Sequence, residues 1–340
     1  MRNDIGIKKL SESPEKTDKS LWQRAADWIS EEVFHSLGRP ARLKRTIASG
    51  QLTPYPVIAP ADTFWLRSVV GWQDWMSLSV SAFHSRPWTL HYRSPGYLHR
   101  LESFPLGVPE VQQLIRKEYI PLFSCDITDI RGISVSKSME HDIRDIDEFP
   151  IIRCREMAEP VTEEHLKKNM RHRELRLDNM LFAEYPWAER RLYWLNDGGS
   201  HHFGAARYQA RRLGIAVPLT GTLCRYSVNV QMISALRNKW HLMVIPKDEL
   251  FGCFFDAMEA FKCAFGCSDL PPRMHDKDKS GVALKLIWLD RGNPRANAVA
   301  AVLTRAGFPD FGKQLAQLAT QTVKTSRLYC RHGTSHHYSE

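Results

Sequence analysis

Apolar residues recur at helical spacing from the start of the patterned chain. In "SLWQRAADWISEEVFHSLG" they fall at Leu21, Ala25, Trp28, Ile29 and Val33, and Gly38 and Pro40 then stop the run, so the spacing predicts an amphipathic helix. A second helix is predicted over "ADTFWLRSVVGWQDWMSLSV", where Trp65, Val69, Trp72 and Met76 form one stripe that Trp75 widens, with Trp88 beyond a proline. Such a stripe packs in a core or interface, or stacks on bases. "HYRSPGYLHRLESFPLGVPE" reads as a loop, and "VPEVQQLIRKEYIPLF" resumes as helix and strand. From Pro150 the elements alternate. "FPIIRCREM" reads as a strand, "EPVTEEHLKKNMRH" as a helix capped by Thr162, and "NMLFAEYPWAERRLYWLND" as two strands. A helix and the strand "IAVPLTGTLCRYSV" follow, and later "GVALKLIWLDRGNPRANAVAAVLTRAGFPDF" reads as a strand and a helix with proline in its first turn.

This pattern divides the chain into four parts. Residues 1–19 are polar and read as a flexible tail, because such a composition buries too little to offset the entropy of ordering. Residues 20–148 read as a helical, Trp-rich N-terminal region. Residues 149–325 read as an α/β (or α+β) core with a C-terminal extension, and 326–340 as a polar, His-rich tail.

Composition narrows the functional classes. With 340 residues, 43% hydrophobic content and 10 tryptophans, the chain can bury a large core. The net charge of +9 favours phosphate-bearing partners. Seven cysteines lack paired CxxC spacing, which speaks against a zinc ribbon and for a reducing, cytoplasmic setting. No apolar run is long enough to cross a membrane, and the charged start does not resemble a signal peptide. The carboxylates of "MEHDIRDIDEF" (Glu140, Asp142, Asp145, Asp147, Glu148) and His141 spread around a helical cylinder with Arg144 among them, a solvated segment rather than a metal site. Cys253, Cys263 and Cys267 read as buried thiols on one side of a helix, and Cys330, His332, His336 and His337 as a polar end without a metal.

The candidate chemistry lies in "YWLNDGGSHHFGAARYQARRLG". After Asp197, Gly198 and Gly199 let an anion lie close to the backbone, and the helix predicted from Ser200 to Leu213 opens with unpaired N–H groups. Phe203, Ala206, Ala210 and Leu213 make its apolar stripe. Arg207 and Arg211 lie on another face, and Gly214 ends the helix. Ser200 or Asp197 is expected to cap the first free N–H groups.

"GGSHHF" followed by "AARYQARRLG" resembles the sulfiredoxin/ParB-like superfamily over residues of about 150–225. The resemblance implies a mixed-sheet core with extra helical segments at both ends and a turn that holds nucleotide phosphates. Gly198 and Gly199 match the glycine pair and His201 the histidine. Ser200 stands where sulfiredoxins carry their cysteine, so the resemblance does not extend to thiolate chemistry. His202 replaces an arginine, a loss that Arg207 or Arg211 is expected to make good. The expected phosphate site is therefore Asp197, Gly198, Gly199, Ser200, His201, His202, Arg207 and Arg211. Its expected ligands are ATP or CTP with Mg, or nucleic acid, with nucleotide hydrolysis or phosphoryl transfer as accompanying chemistry. The competing expectation is a non-enzymatic, DNA-associated or assembly protein that meets a protein partner or a second copy through its Trp-rich region. No catalytic carboxylate stands out, although Glu184, Glu189 and Asp197 are close in sequence.

Overall fold

In a computed structural model the chain is a mixed α/β protein built on two five-stranded sheets. The structure describes residues 21–75, 89–97, 100–139 and 143–332. The first sheet has the order β3 (Ile115–Asp126), β7 (Pro218–Val228), β5 (Met180–Glu184), β6 (Leu192–Trp194), β4 (Ile130–Ile133). It is mixed: β3/β7 and β5/β6 run antiparallel, β5/β7 and β4/β6 parallel. The second is antiparallel throughout, in the order β2 (Leu101–Gly107), β1 (Thr89–Pro95), β9 (Phe265–Ser268), β10 (Leu284–Asp290), β8 (Trp240–Pro246).

Helices cover these sheets because their apolar stripes match the sheet faces. Ser200–Leu213 buries Phe203, Ala206 and Ala210 against Phe182, Trp194 and Leu223 of the first sheet, with the Phe203 and Trp194 ring centroids 4.5 Å apart. The second sheet has a core on each face. One contains Trp72, Trp75, Trp240, Trp288 and Phe311, the other Phe254, Phe261, Phe265, Val299 and Leu303.

Several elements depart from the sequence pattern. The region read as helical from 20 to 148 carries four strands, and the second sheet joins β1 and β2 to strands from beyond residue 239. The predicted loop at 91–110 is a hairpin, β1 paired with β2. "FPIIRCREM" is two short helices, Glu148–Arg153 and Arg155–Ala158. Trp65 bridges to Ile133 in extended conformation, and only Leu66–Ser68 and Trp72–Trp75 are helical before the described residues break off; Met76 and Trp88 lie outside them. Trp65, Trp72 and Trp75 are nonetheless buried, which removes all three from any partner surface. Leu21–Ser36 is a helix as expected, but it is turned over. Ile29 and Val33 face solvent at 58% and 53% exposure, while Glu31 and His35 are buried, Glu31 held by Arg42 and Arg45.

The two helix starts and two of the thiols follow the sequence pattern. Thr162 caps Glu163–Met170 by accepting from His165 N, and Asn293 caps Pro294–Arg305. Cys263 and Cys267 are buried free thiols, although they lie beyond the helix end at Ala260. Residues 1–20 and 333–340 lie outside the described residues, as do Glu140, His141 and Asp142. Among the described residues no helix is long and apolar enough to cross a membrane, and no cluster of His, Cys, Asp and Glu forms a metal site.

Candidate functional site

β6 ends at Trp194, and the chain turns through Leu195–Gly199 into the helix Ser200–Leu213. Gly199 takes the left-handed conformation (φ 68°) as the residue before the helix, which a side chain would strain. Asn196, 93% buried by its 7% exposure, fastens the turn to the segment after β4. Its Oδ1 accepts from the N–H groups of Ser134 (3.0 Å) and Val135 (3.2 Å), and its Nδ2 donates to the carbonyls of Val135 and Gly198. An asparagine just before an Asp-Gly-Gly run is a legible turn signal, yet its reach to Ser134 is not.

Neither expected residue caps the helix. Asp197 pairs instead with Arg176 at 2.7 Å, and Ser200 donates to Ser136 Oγ at 2.9 Å. The Gly199 N–H donates to Glu174 Oε2 at 2.9 Å. The two glycines make that approach possible: a Cβ at Gly198 would lie 3.2 Å from the Glu174 carboxylate, and one at Gly199 3.1 Å from the Glu174 backbone. An anion therefore does sit against this turn, and it is a side chain of the protein.

The two histidines that follow pack on different neighbours. His201 stacks on Phe149 with centroids 5.3 Å apart, and its Nε2 lies 3.2 Å from Ser138 Oγ. His202 stacks on His172 at 3.7 Å. Asn169 Nδ2 donates to Met157 O and to Gln209 Oε1, so its Oδ1 accepts from His202 Nδ1 at 3.0 Å. That bond fixes the tautomer and leaves His202 Nε2 unprotonated near neutral pH. Burial lowers the His201 pKa, helped by Arg153 and Lys137; burial also lowers that of His202, helped by His172. Both rings are thus neutral donors and acceptors.

Arg207 and Arg211 do not join the turn. They lie about 12 and 18 Å farther along the helix at 1.5 Å per residue. Arg207 is buried: its Nε donates to Ile130 O (2.7 Å), its Nη2 to Thr128 O (3.0 Å) and its Nη1 to Asp147. Asp147 also pairs with Arg211. These residues line a separate cavity of about 1100 Å³ with Asp62, Asp126, Arg131, Arg144, Asp145 and Arg191. The eight expected site residues therefore fall into two places, six at the turn and two in the cavity.

A family model matches residues 120–327, more than half of the chain. The chain belongs to DUF6685, a family of unknown function. The matched span starts within β3 and takes in Glu174, the turn, both histidines and all five arginines of the cavity. No curated protein and no solved structure matches the chain.

Proposed function

We propose that the 196–202 turn binds a phosphate-bearing ligand, a nucleotide or a nucleic-acid phosphate, and that Glu174 holds the place of that ligand until it arrives. The contact between Gly199 N–H and Glu174 Oε2 carries this reading, because a backbone N–H at a helix start that donates to a carboxylate also suits a phosphate oxygen. Glu174 is exposed, and besides burial the charges of Arg153 and Lys137 act on the His201 ring and that of Lys168 on the His202 ring. The resemblance of "GGSHHF" to the phosphate turn of sulfiredoxin/ParB-like proteins points the same way. Ser200 at the sulfiredoxin cysteine position makes the role one of binding, with no thiolate to attack a substrate.

Lys167, Lys168, Arg171, Arg173 and Arg176 are exposed on the segment that delivers Glu174. That basic run favours a nucleic-acid backbone as the phosphate source, a reading that a steep loss of affinity with salt supports and a shallow one opposes.

Equilibrium titration of ATP, CTP, GTP and ADP, with and without Mg, tests the proposal on the parent and on Glu174→Ala. Removing the competing carboxylate frees the Gly199 N–H, so the variant should bind more tightly by about tenfold or more, the worth of one charge-assisted hydrogen bond. His201→Ala should weaken binding. If no nucleotide or nucleic acid binds either the parent or Glu174→Ala, the turn is a structural connection and the proposal fails.

A further inference from the structure

A separate cavity lies at the far end of the Ser200–Leu213 helix. Five arginines and four aspartates line it, and they are not evenly matched. Asp62 holds Arg191 through two bonds of 2.7 and 2.6 Å, and Asp147 is shared between Arg207 and Arg211. The other two carboxylates serve the backbone. Asp126 accepts from Thr128 N (2.8 Å) and Val217 N (2.7 Å), and Asp145 from Asp147 N (2.9 Å). That leaves Arg131 and Arg144, both exposed and both without an ion-pair partner among the described residues, facing a common space.

We infer that this cavity binds a small polyphosphate anion, gripped by Arg131 and Arg144 with Arg191 beside them. Guanidinium forks match phosphate oxygens in pairs, and arginines brought from separate segments suit an anion with two or more phosphates better than a single one. The rest of the lining is small or aliphatic apart from Thr128, and offers no aromatic face for a base. Recognition therefore falls on the phosphates. The helix ends in this cavity at Gly214, and its C-terminal carbonyls repel an anion weakly, so arginines from outside the helix must hold the ligand. Asp62 is 72% exposed on its side chain against 13% for Arg191, so it can turn out to solvent when a phosphate oxygen takes its place on that guanidinium.

The site is independent of the turn, and the test keeps the two apart. Inorganic triphosphate is titrated calorimetrically into the full chain, into an Arg131→Ala, Arg144→Ala double variant and into His201→Ala. The double variant should lose about tenfold or more in affinity while keeping the parent melting temperature, since neither side chain is buried. His201→Ala should retain the cavity affinity whether or not it loses binding at the turn. Equal affinity of the double variant and the parent overturns the inference, as does absence of triphosphate binding to the parent. A single-stranded oligonucleotide that binds the parent but not the double variant, with triphosphate bound by neither, also overturns it and makes the cavity a nucleic-acid groove.

Discussion

Glu174 reaches the turn from 25 residues upstream, which is why neither glycine position tolerates a side chain freely. The same neighbourhood keeps His201 and His202 uncharged, chiefly through burial, and gives them a definite effect on stability. Both folded pKa values lie below the ordinary 6.5, so below that pH the unfolded chain binds protons that the folded chain refuses. The contribution of the two rings is complete above 6.5 and is lost as pH falls toward their lowered folded values. A melting series down to about pH 5 should show stability dropping through this window, and a His201→Gln, His202→Gln double variant should show a flatter profile. A parent profile no steeper than that of the variant would mean that the two rings ionise as freely as in the unfolded chain.

At the scale of the element, the Ser200–Leu213 helix is fastened at both ends by groups from elsewhere, Glu174 at its start and Asp147 near its end. Arg207 and Arg211 share Asp147 but differ in burial, with side chains 7% and 62% exposed. Removing Arg207 strands the carbonyls of Thr128 and Ile130 in the interior and leaves Asp147 with Arg211 alone. Arg207→Ala should therefore destabilise the protein by about 3–5 kcal/mol in denaturant unfolding, the usual cost of breaking a buried pair from one side. Arg211→Ala should cost about 1 kcal/mol or less. Similar losses for both would show that burial does not decide the strength of this pair.

Across the whole molecule, what was legible in the sequence followed periodicity and local chemistry. The Gly-turn helix, its stripe, its Gly214 end, the β5/β6 pair and the Thr162 cap all depend on neighbours within a few positions. The hairpin β1/β2 was not legible: its strands hold Pro and Gly, and β1 gains order by pairing with β9, far along the chain. Leu21–Ser36 shows that a stripe reveals a helix without saying which side faces in, because Arg42 and Arg45 make Glu31 the buried group. For the site, local signals found the glycines and histidines. Glu174, Asn169 and the separation of Arg207 from the turn depend on contacts across tens of residues, which no spacing rule carries. In the proposed function the turn is an anion seat whose first occupant is Glu174. The amide signal of Gly199 in a ¹⁵N-resolved NMR spectrum reports this directly. That signal should move upfield in Glu174→Ala, as a charged acceptor is lost, and return downfield when ATP or another phosphate-bearing ligand is added. A Gly199 signal that Glu174→Ala shifts but no phosphate ligand moves back would contradict the proposed function.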